Sequence, residues 1–121
     1  MRALLIDDDM TFRTGLAANL RFDGHDVVEF SEPSRLPPVD QLKGVRVLIT
    51  DYQMPRENGL AVADRFHADY PGVPIILVTA FFSPALARQL ESRPFIHLVQ
   101  KPIEYHDFHR LLMSLTNPGA S

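Results

Sequence analysis

Apolar and polar residues follow two different periods along this chain. Five short stretches are almost continuously apolar, which is typical of strands covered on both faces of a sheet. They cover 2–6, 27–30, 45–50, 73–78 and 95–99. Between them, apolar residues recur every third or fourth position, which predicts amphipathic helices. These helices are predicted at 10–22, 59–70, 84–92 and 104–115.

Residues that favour helix starts support these boundaries. Asp9 and Asn58 each stand before a predicted helix as an N-cap. Ser83 precedes Pro84, a residue that suits the first position of a helix. The segment 31–43 contains three prolines and few periodic apolar residues, so any helix there is expected to be short and to begin late.

The alternation of strand and helix predicts the fold class. Because the connections are too long for hairpins, we expect a parallel sheet in an α/β fold, with helices on both faces and right-handed crossovers. The carboxyl ends of parallel strands share one edge of the sheet, and ligands bind outside that edge. The polar residues that the strands deliver there are Asp7, Asp8, Asp51, Thr79 and Lys101.

Composition narrows the range of functions. At 121 residues, the chain has a common size for a single domain. Its net charge is −3 and it has no block of Lys or Arg, so direct binding of nucleic acid is not expected. It has no cysteine for a disulfide or a thiolate metal site, and no apolar stretch approaches the roughly 20 residues that span a bilayer. We therefore expect a cytoplasmic protein with no membrane segment and with a protein or small-molecule partner.

The acidic residues at the sheet edge indicate metal and phosphoryl chemistry. Two carboxylates about 4 Å apart repel by roughly 4 kcal/mol at an effective dielectric constant of about 20, so Asp7, Asp8 and Asp51 need a cation or a raised pKa. Mg²⁺ typically binds one or two carboxylates together with phosphate oxygens and water. A carboxylate beside a metal and a lysine such as Lys101 is a competent nucleophile toward phosphorus, and Thr79 adds a hydroxyl donor.

Four motifs follow one another in a fixed order along the chain. They are LLIDDD at 4–9, LITDYQMP at 48–55 with Asn58-Gly59, IILVTA at 75–80, and Lys101-Pro102. Together they resemble the receiver domain of two-component response regulators, and the resemblance covers essentially the whole chain. It implies a flavodoxin-like sheet of five parallel strands in the order 2-1-3-4-5.

The resemblance also implies roles for individual residues. Asp51 corresponds to the phosphoacceptor, Thr79 to a switch hydroxyl that turns toward the phosphoryl group, and Lys101 to the lysine that binds a phosphoryl oxygen. The Lys101-Pro102 bond is implied to be cis. The implied magnesium ligands are Asp7, Asp8, Asp51 and the backbone carbonyl of Gln53.

The function implied by the resemblance is phosphorelay signalling. A histidine kinase or phosphotransfer protein would pass a phosphoryl group to Asp51. The domain would then change conformation to control a partner, an effector domain or a second copy through its last two helices and last strand. It would catalyse only its own phosphorylation and slow dephosphorylation, and so would not be an enzyme in the usual sense. The domain is expected to cover 1–116, with a tail or the start of a linker at 117–121.

Two other functions are compatible with parts of the pattern. Aspartate-nucleophile phosphatases carry a nucleophile on the first strand and a second Asp two residues later. Asp7 and Asp9 have this spacing, although Met10 stands where Thr or Val is expected. A receiver-shaped interaction module that ignores phosphate is the second alternative. Leu98 stands where the family usually has an aromatic switch residue, which departs from the usual coupled movement of a threonine and an aromatic.

Two further features are interpreted from residue type and spacing. Phe81 and Phe82 adjoin the predicted site, and either they form an exposed apolar contact for a partner or at least one packs over the sheet. His106 and His109 lie three positions apart on one face of the last predicted helix. Because no third ligand is near in sequence, we interpret them as a solvated surface pair and not as a metal site.

Overall fold

The structure, a computed structural model, describes residues 1–35 and 42–117. These residues contain one parallel sheet, four α-helices and one 3-10 turn, Pro33–Arg35. The strands are β1 (Arg2–Ile6), β2 (Asp26–Phe30), β3 (Val45–Asp51), β4 (Ile75–Thr79) and β5 (Ile96–Gln100). The helices are α1 (Met10–Phe22), α2 (Gly59–Asp69), α3 (Pro84–Glu91) and α4 (Tyr105–Thr116). No helix in this part of the chain has both the length and the apolar composition needed to cross a bilayer.

The predicted α/β fold and its strand order are confirmed. Neighbouring strands run in the order β2-β1-β3-β4-β5, and every pair is parallel. The chain moves outward from β1 to β2 on one side and from β3 to β5 on the other. The order therefore reverses between β1 and β3, and ligands of open α/β sheets bind at such a point.

Predicted and observed element boundaries differ by at most two residues. The prediction began β4 at 73, but the strand begins at Ile75 because Pro74 has no N–H to donate to the sheet. The carbonyl of Pro74 still accepts a hydrogen bond from the backbone of Leu48. The short helix expected late in 31–43 falls mostly on residues 36–41, which lie outside the described part, as does most of the predicted tail.

Each central strand is buried on both faces, which explains why its sequence is almost continuously apolar. Successive side chains of a strand point to opposite faces of the sheet. In β1, Leu4 and Ile6 join the apolar layer beneath α2 and α3. Ala3 and Leu5 join the layer beneath α1 and α4. The two layers cover both faces of the sheet, and its carboxyl edge presents the polar residues.

The predicted N-caps are confirmed, and they fix where the helices begin. The side chain of Asp9 accepts a hydrogen bond from the backbone N–H of Phe12, at 3.2 Å. Asn58 and Ser83 cap α2 and α3 in the same way. All three caps lie next to the carboxyl edge of the sheet, so they also set the start of the helices that surround it.

Candidate functional site

Three carboxylates meet at the point where the strand order reverses. Asp7 follows β1 directly, and Asp51 is the last residue of the adjacent strand β3. Oxygen atoms of Asp7, Asp8 and Asp51 all lie within 4.8 Å of one another, and we call these residues the carboxylate cluster. Asp7 and Asp51 are buried, whereas Asp8 is exposed. The cluster is therefore rooted in the sheet and reaches solvent through Asp8.

Asp7 is held by hydrogen bonds on every polar group. Its backbone N–H donates to the carbonyl of Phe30 at 3.1 Å, and its carboxylate accepts from the backbone N–H of Asp9 at 2.8 Å. The guanidinium of Arg13 donates to its backbone carbonyl at 2.7 Å. Arg13 was not predicted as a site residue, since a basic residue on a helix is usually a solvated surface charge.

Lys101 faces the carboxylate cluster from the loop after β5. Its Nζ lies 3.0 Å from Asp7 Oδ2 and 3.8 Å from Asp51 Oδ1. The backbone N–H of Lys101 donates to the carbonyl of Thr79 at 2.7 Å, which ties this loop to the end of β4. The Lys101-Pro102 bond is cis, as the resemblance implied.

Burial and crowding of like charges control the ionisation of the cluster. Burial and, to a smaller extent, the Asp7 carboxylate raise the pKa of Asp51 to about 6, with Lys101 partly opposing both effects. Burial also raises the pKa of Asp7, against the hydrogen bonds from Asp9 and Lys101. A divalent cation would relieve this repulsion, and oxygen donors alone suit Mg²⁺. The donor set therefore fits magnesium, with Asp7, Asp8 and Asp51 as the residues that would hold it.

Two residues to which the resemblance gives a role lie beside the cluster. Thr79 is fully buried, and its hydroxyl donates to the carbonyl of Phe81 and accepts from the backbone N–H of the same residue, both at 3.0 Å. The hydroxyl is thus engaged within its own loop. The backbone N–H of Gln53 forms a hydrogen bond with Asp51. That the carbonyl of Gln53 binds the metal stays a prediction.

Gly59 packs directly against the backbone that carries Asp51. Its N–H donates to the carbonyl of Tyr52 at 2.7 Å. A Cβ atom at this position would lie 2.2 Å from the Asp51 carbonyl oxygen and 2.8 Å from Leu77 Cδ1. In the sequence, Gly59 is only part of a motif; the close approach of α2 to the end of β3 explains why a side chain does not fit.

The two phenylalanines after Thr79 are both exposed. Phe81 is 65% and Phe82 is 50% exposed. Of the two alternatives considered from the sequence, the inward packing is therefore wrong. Leu98 lies on β5 and is half-buried against the layer beneath α2 and α3.

The interpretation of His106 and His109 as a solvated pair is right for one residue and wrong for the other. His106 is exposed, with Arg110 3.1 Å from its Nε2. His109 is half-buried, and its Nε2 lies 3.0 Å from Nε2 of His25 in the turn between α1 and β2. Tyr105 stacks on His109 and donates its hydroxyl to Asp23 at 2.7 Å. We call Asp23, His25, Tyr105 and His109 the histidine cluster.

Comparison with known proteins gives a consistent family. The family model of the response regulator receiver domain matches residues 3–113. A chemotaxis protein CheY homologue from Campylobacter jejuni is 38% identical over 84 residues, which are 65% of this chain and 64% of that protein. The response regulator protein FleR from Pseudomonas aeruginosa is 26% identical over 103 residues, which are 85% of this chain but 22% of FleR. The chain thus spans about a fifth of FleR and slightly less than two thirds of the CheY homologue.

Solved structures agree with the fold. A two-component response regulator from Clostridium difficile superposes with a TM-score of 0.86 at 13% identity, covering 100% of this chain and 99% of that chain. A CheY-like receiver domain protein from Methanospirillum hungatei has a TM-score of 0.85 at 18% identity, covering 97% of this chain and 94% of that chain. On the match of the family model over most of its length, this chain belongs to the response regulator receiver domain family.

Proposed function

We propose that this domain accepts a phosphoryl group on Asp51 from the phosphohistidine of a histidine kinase or phosphotransfer protein, in a reaction that depends on Mg²⁺. The observation that carries the proposal is the convergence of Asp7, Asp8 and Asp51 within 4.8 Å, with Lys101 Nζ 3.8 Å from the Asp51 carboxylate. This arrangement supplies a nucleophile, a place for a divalent cation and a fixed positive charge in one site.

The proposed step is an in-line displacement at phosphorus. An oxygen of Asp51 forms the new P–O bond while the P–N bond to the donor imidazole breaks, and the electron pair of that bond returns to the imidazole. Lys101 pairs with a phosphoryl oxygen and so stabilises the negative charge of the transferring group. Asp7, Asp8 and Asp51 would hold Mg²⁺, which would neutralise charge at the site.

The ionisation of Asp51 sets the pH range of this reaction. With its pKa raised to about 6, Asp51 is largely ionised at pH 7 and can act as a nucleophile. Below that pKa it is increasingly protonated and its reactivity falls. A bound cation favours the ionised form and would move the lower limit to a more acidic pH.

We propose that the switch begins at Thr79. Its hydroxyl now bonds within the loop to Phe81, so a turn toward a phosphoryl group on Asp51 would release this loop. The change would be read on the surface formed by α3, β5 and α4, by a partner, an effector domain or a second copy. Leu98 lies on this surface without an aromatic ring, so Thr79 would act without the usual aromatic partner.

Two contacts count against a phosphatase. In that alternative, Asp7 would be the nucleophile and Asp9 the second acid. The Asp9 carboxylate caps α1 by accepting from the backbone N–H of Phe12. Lys101 also donates directly to Asp7, at 3.0 Å. Both carboxylates thus already have hydrogen-bond partners within the protein.

The test is a comparison of wild type with Asp51→Asn and Asp9→Asn, using beryllofluoride and Mg²⁺ and recording amide NMR shifts. We expect shifts around the carboxylate cluster and Thr79 in wild type and none in Asp51→Asn. Asp9→Asn should respond like wild type, because asparagine also caps a helix. A response in Asp51→Asn, or none in wild type, would contradict the proposal. Hydrolysis of p-nitrophenyl phosphate that survives Asp51→Asn and is lost in Asp9→Asn would favour the phosphatase.

A further inference from the structure

An aromatic ring is the third neighbour of the Lys101 ammonium. Nζ lies 4.1 Å from the centroid of the Phe12 ring, in addition to its contacts with Asp7 and Asp51. The face of an aromatic ring carries negative electrostatic potential and attracts a cation at this distance. The side chain of Lys101 is 15% exposed and so is mostly shielded from solvent.

The fold brings Phe12 and Lys101 together from two separate elements. Phe12 lies in the first turn of α1, where the cap by Asp9 holds its backbone N–H. The ring packs against the apolar layer beneath α1 and α4. Lys101 comes from the loop after β5, where its backbone is tied to Thr79. Both backbones are fixed by hydrogen bonds, so the contact between ring and ammonium has a defined geometry.

A lysine needs such support because its four-carbon stem is flexible and its ammonium is strongly hydrated. The carboxylates of Asp7 and Asp51 attract the ammonium, but a bound cation would compete for them and phosphoryl transfer would change the charge and shape of Asp51. The ring of Phe12 is uncharged and does not take part in that exchange. It can hold the ammonium at the same place before and after phosphoryl transfer.

We propose that Phe12 is a positioning residue for Lys101, acting through a cation–π contact that keeps the ammonium aimed at the phosphoacceptor. This inference rests on the proposed function of Asp51 and Lys101. It assigns a role to a residue that the sequence pattern places only in the apolar stripe of α1.

The first measurement is the rate of Asp51 phosphorylation by acetyl phosphate with saturating Mg²⁺. Phe12→Leu keeps an apolar side chain but removes the ring face, and we expect the rate to fall by about 3- to 30-fold. Phe12→Tyr keeps the ring face and should stay within about 2-fold of wild type. Phe22→Leu is the matched control, because Phe22 lies at the other end of α1 and is 91% exposed.

The second measurement reports the contact itself. The chain has two lysines, Lys43 and Lys101, so selective ¹³C labelling of the lysine ε-carbon gives two NMR signals. The ring current of Phe12 should shift the Lys101 signal, and Lys43, which is exposed, serves as the internal reference. Phe12→Leu should move only the Lys101 signal toward the position of Lys43, and Phe12→Tyr should leave both unchanged.

The two measurements separate the possible failures. If the Lys101 signal is the same in wild type and Phe12→Leu, the contact is absent and the inference is wrong. If the signal moves but the phosphorylation rate does not change, Phe12 contacts Lys101 without positioning it, which also overturns the inference. If wild type takes no phosphoryl group at all, the proposed function fails, and the positioning role falls with it whatever the NMR signals show.

Discussion

The carboxylate cluster and the histidine cluster each bring together polar side chains from distant parts of the chain. They differ in whether each charged or polar group has a suitable partner. In the histidine cluster, His25 and His109 share a hydrogen bond and Tyr105 donates to Asp23. In the carboxylate cluster, three acidic groups lie together with one lysine, and the pKa of Asp51 is raised to about 6.

Their positions on the sheet differ as well. The carboxylate cluster lies at the carboxyl edge, where β1 and β3 end. His25 precedes β2 and so lies at the amino edge, where it meets α4. Mismatched negative charge is costly to the apo protein, but it would favour the binding of a cation. We therefore expect substitutions at the carboxyl edge to change the proposed function most, and substitutions at the amino edge to change mainly stability.

The largest expected effect comes from removing the mismatched charge. We expect Asp51→Asn to raise the free energy of unfolding of the metal-free protein by about 2–3 kcal/mol at pH 7, since the pKa of Asp51 rises from 3.8 to about 6 on folding. The Asp51 carboxyl loses its proton near pH 4 in the unfolded chain and near pH 6 in the folded protein. The advantage of the variant should therefore grow between those values and stay constant above them.

Urea unfolding from pH 4 to 8 in the presence of a chelator measures this difference. Asp69→Asn, which removes an exposed carboxylate at the end of α2, is the control and should change little at any pH. Addition of Mg²⁺ should stabilise wild type more than Asp51→Asn, because binding to the folded state alone adds to its stability. If Asp51→Asn is no more stable than wild type, the Asp51 carboxylate does not destabilise the metal-free protein.

The next effect concerns the backbone beneath the cluster. Gly59→Ala would place a Cβ atom 2.2 Å from the Asp51 carbonyl oxygen, so β3 or α2 must shift. We expect the free energy of unfolding to fall by about 1–3 kcal/mol and the response to beryllofluoride to weaken. Urea unfolding and amide NMR shifts measure both effects.

Gly15→Ala is the matched control for that substitution. Gly15 lies inside α1, is exposed, and has nothing within 4 Å of an added Cβ atom. Alanine there should stabilise the protein by about 0.5–1 kcal/mol, because glycine loses more conformational freedom in a helix. If both substitutions had the same effect, the close approach of Gly59 to Asp51 would not be needed for the fold.

The sequence was sufficient to predict the carboxylate cluster because topology alone creates it. A parallel sheet brings the ends of β1 and β3 to the same edge whatever the packing of the helices, so Asp7 and Asp51 must be neighbours. The caps Asp9 and Asn58 were predictable for a similar reason, since their hydrogen bonds reach only three residues along the chain.

The contacts that escaped prediction depend on how helices pack. The apolar period of 10–22 predicted a helix, but the approach of Lys101 to the Phe12 ring depends on the path of the loop after β5. Likewise, the spacing of His106 and His109 described one helix only. The partner of His109 is His25, 84 residues away, which is reached only because α4 packs beside α1.

The smallest expected effect comes from the histidine cluster. His25→Gln and His109→Gln each remove the same hydrogen bond, the one between the two imidazole rings. We expect each to lower the free energy of unfolding at pH 8 by about 0.5–1.5 kcal/mol and to leave the beryllofluoride response unchanged. Burial, the Met1 ammonium 3.2 Å away and His109 lower the pKa of His25, against the attraction of Asp23.

The lowered pKa of His25 determines how stability depends on pH. Because the folded state binds this proton more weakly than the unfolded state, the free energy of unfolding falls as acid is added. The contribution of His25 should be complete above about pH 6.5 and be lost as pH falls through the lowered pKa, so wild type and His25→Gln should converge in acid. Urea unfolding at pH 5 and pH 8 measures this, with His106→Gln, on the exposed side of the same helix, as the control. If the free energies of unfolding of wild type and His25→Gln differ by the same amount at both pH values, His25 is not held neutral by its neighbours. The contrast between the histidine cluster and the carboxylate cluster would then be wrong.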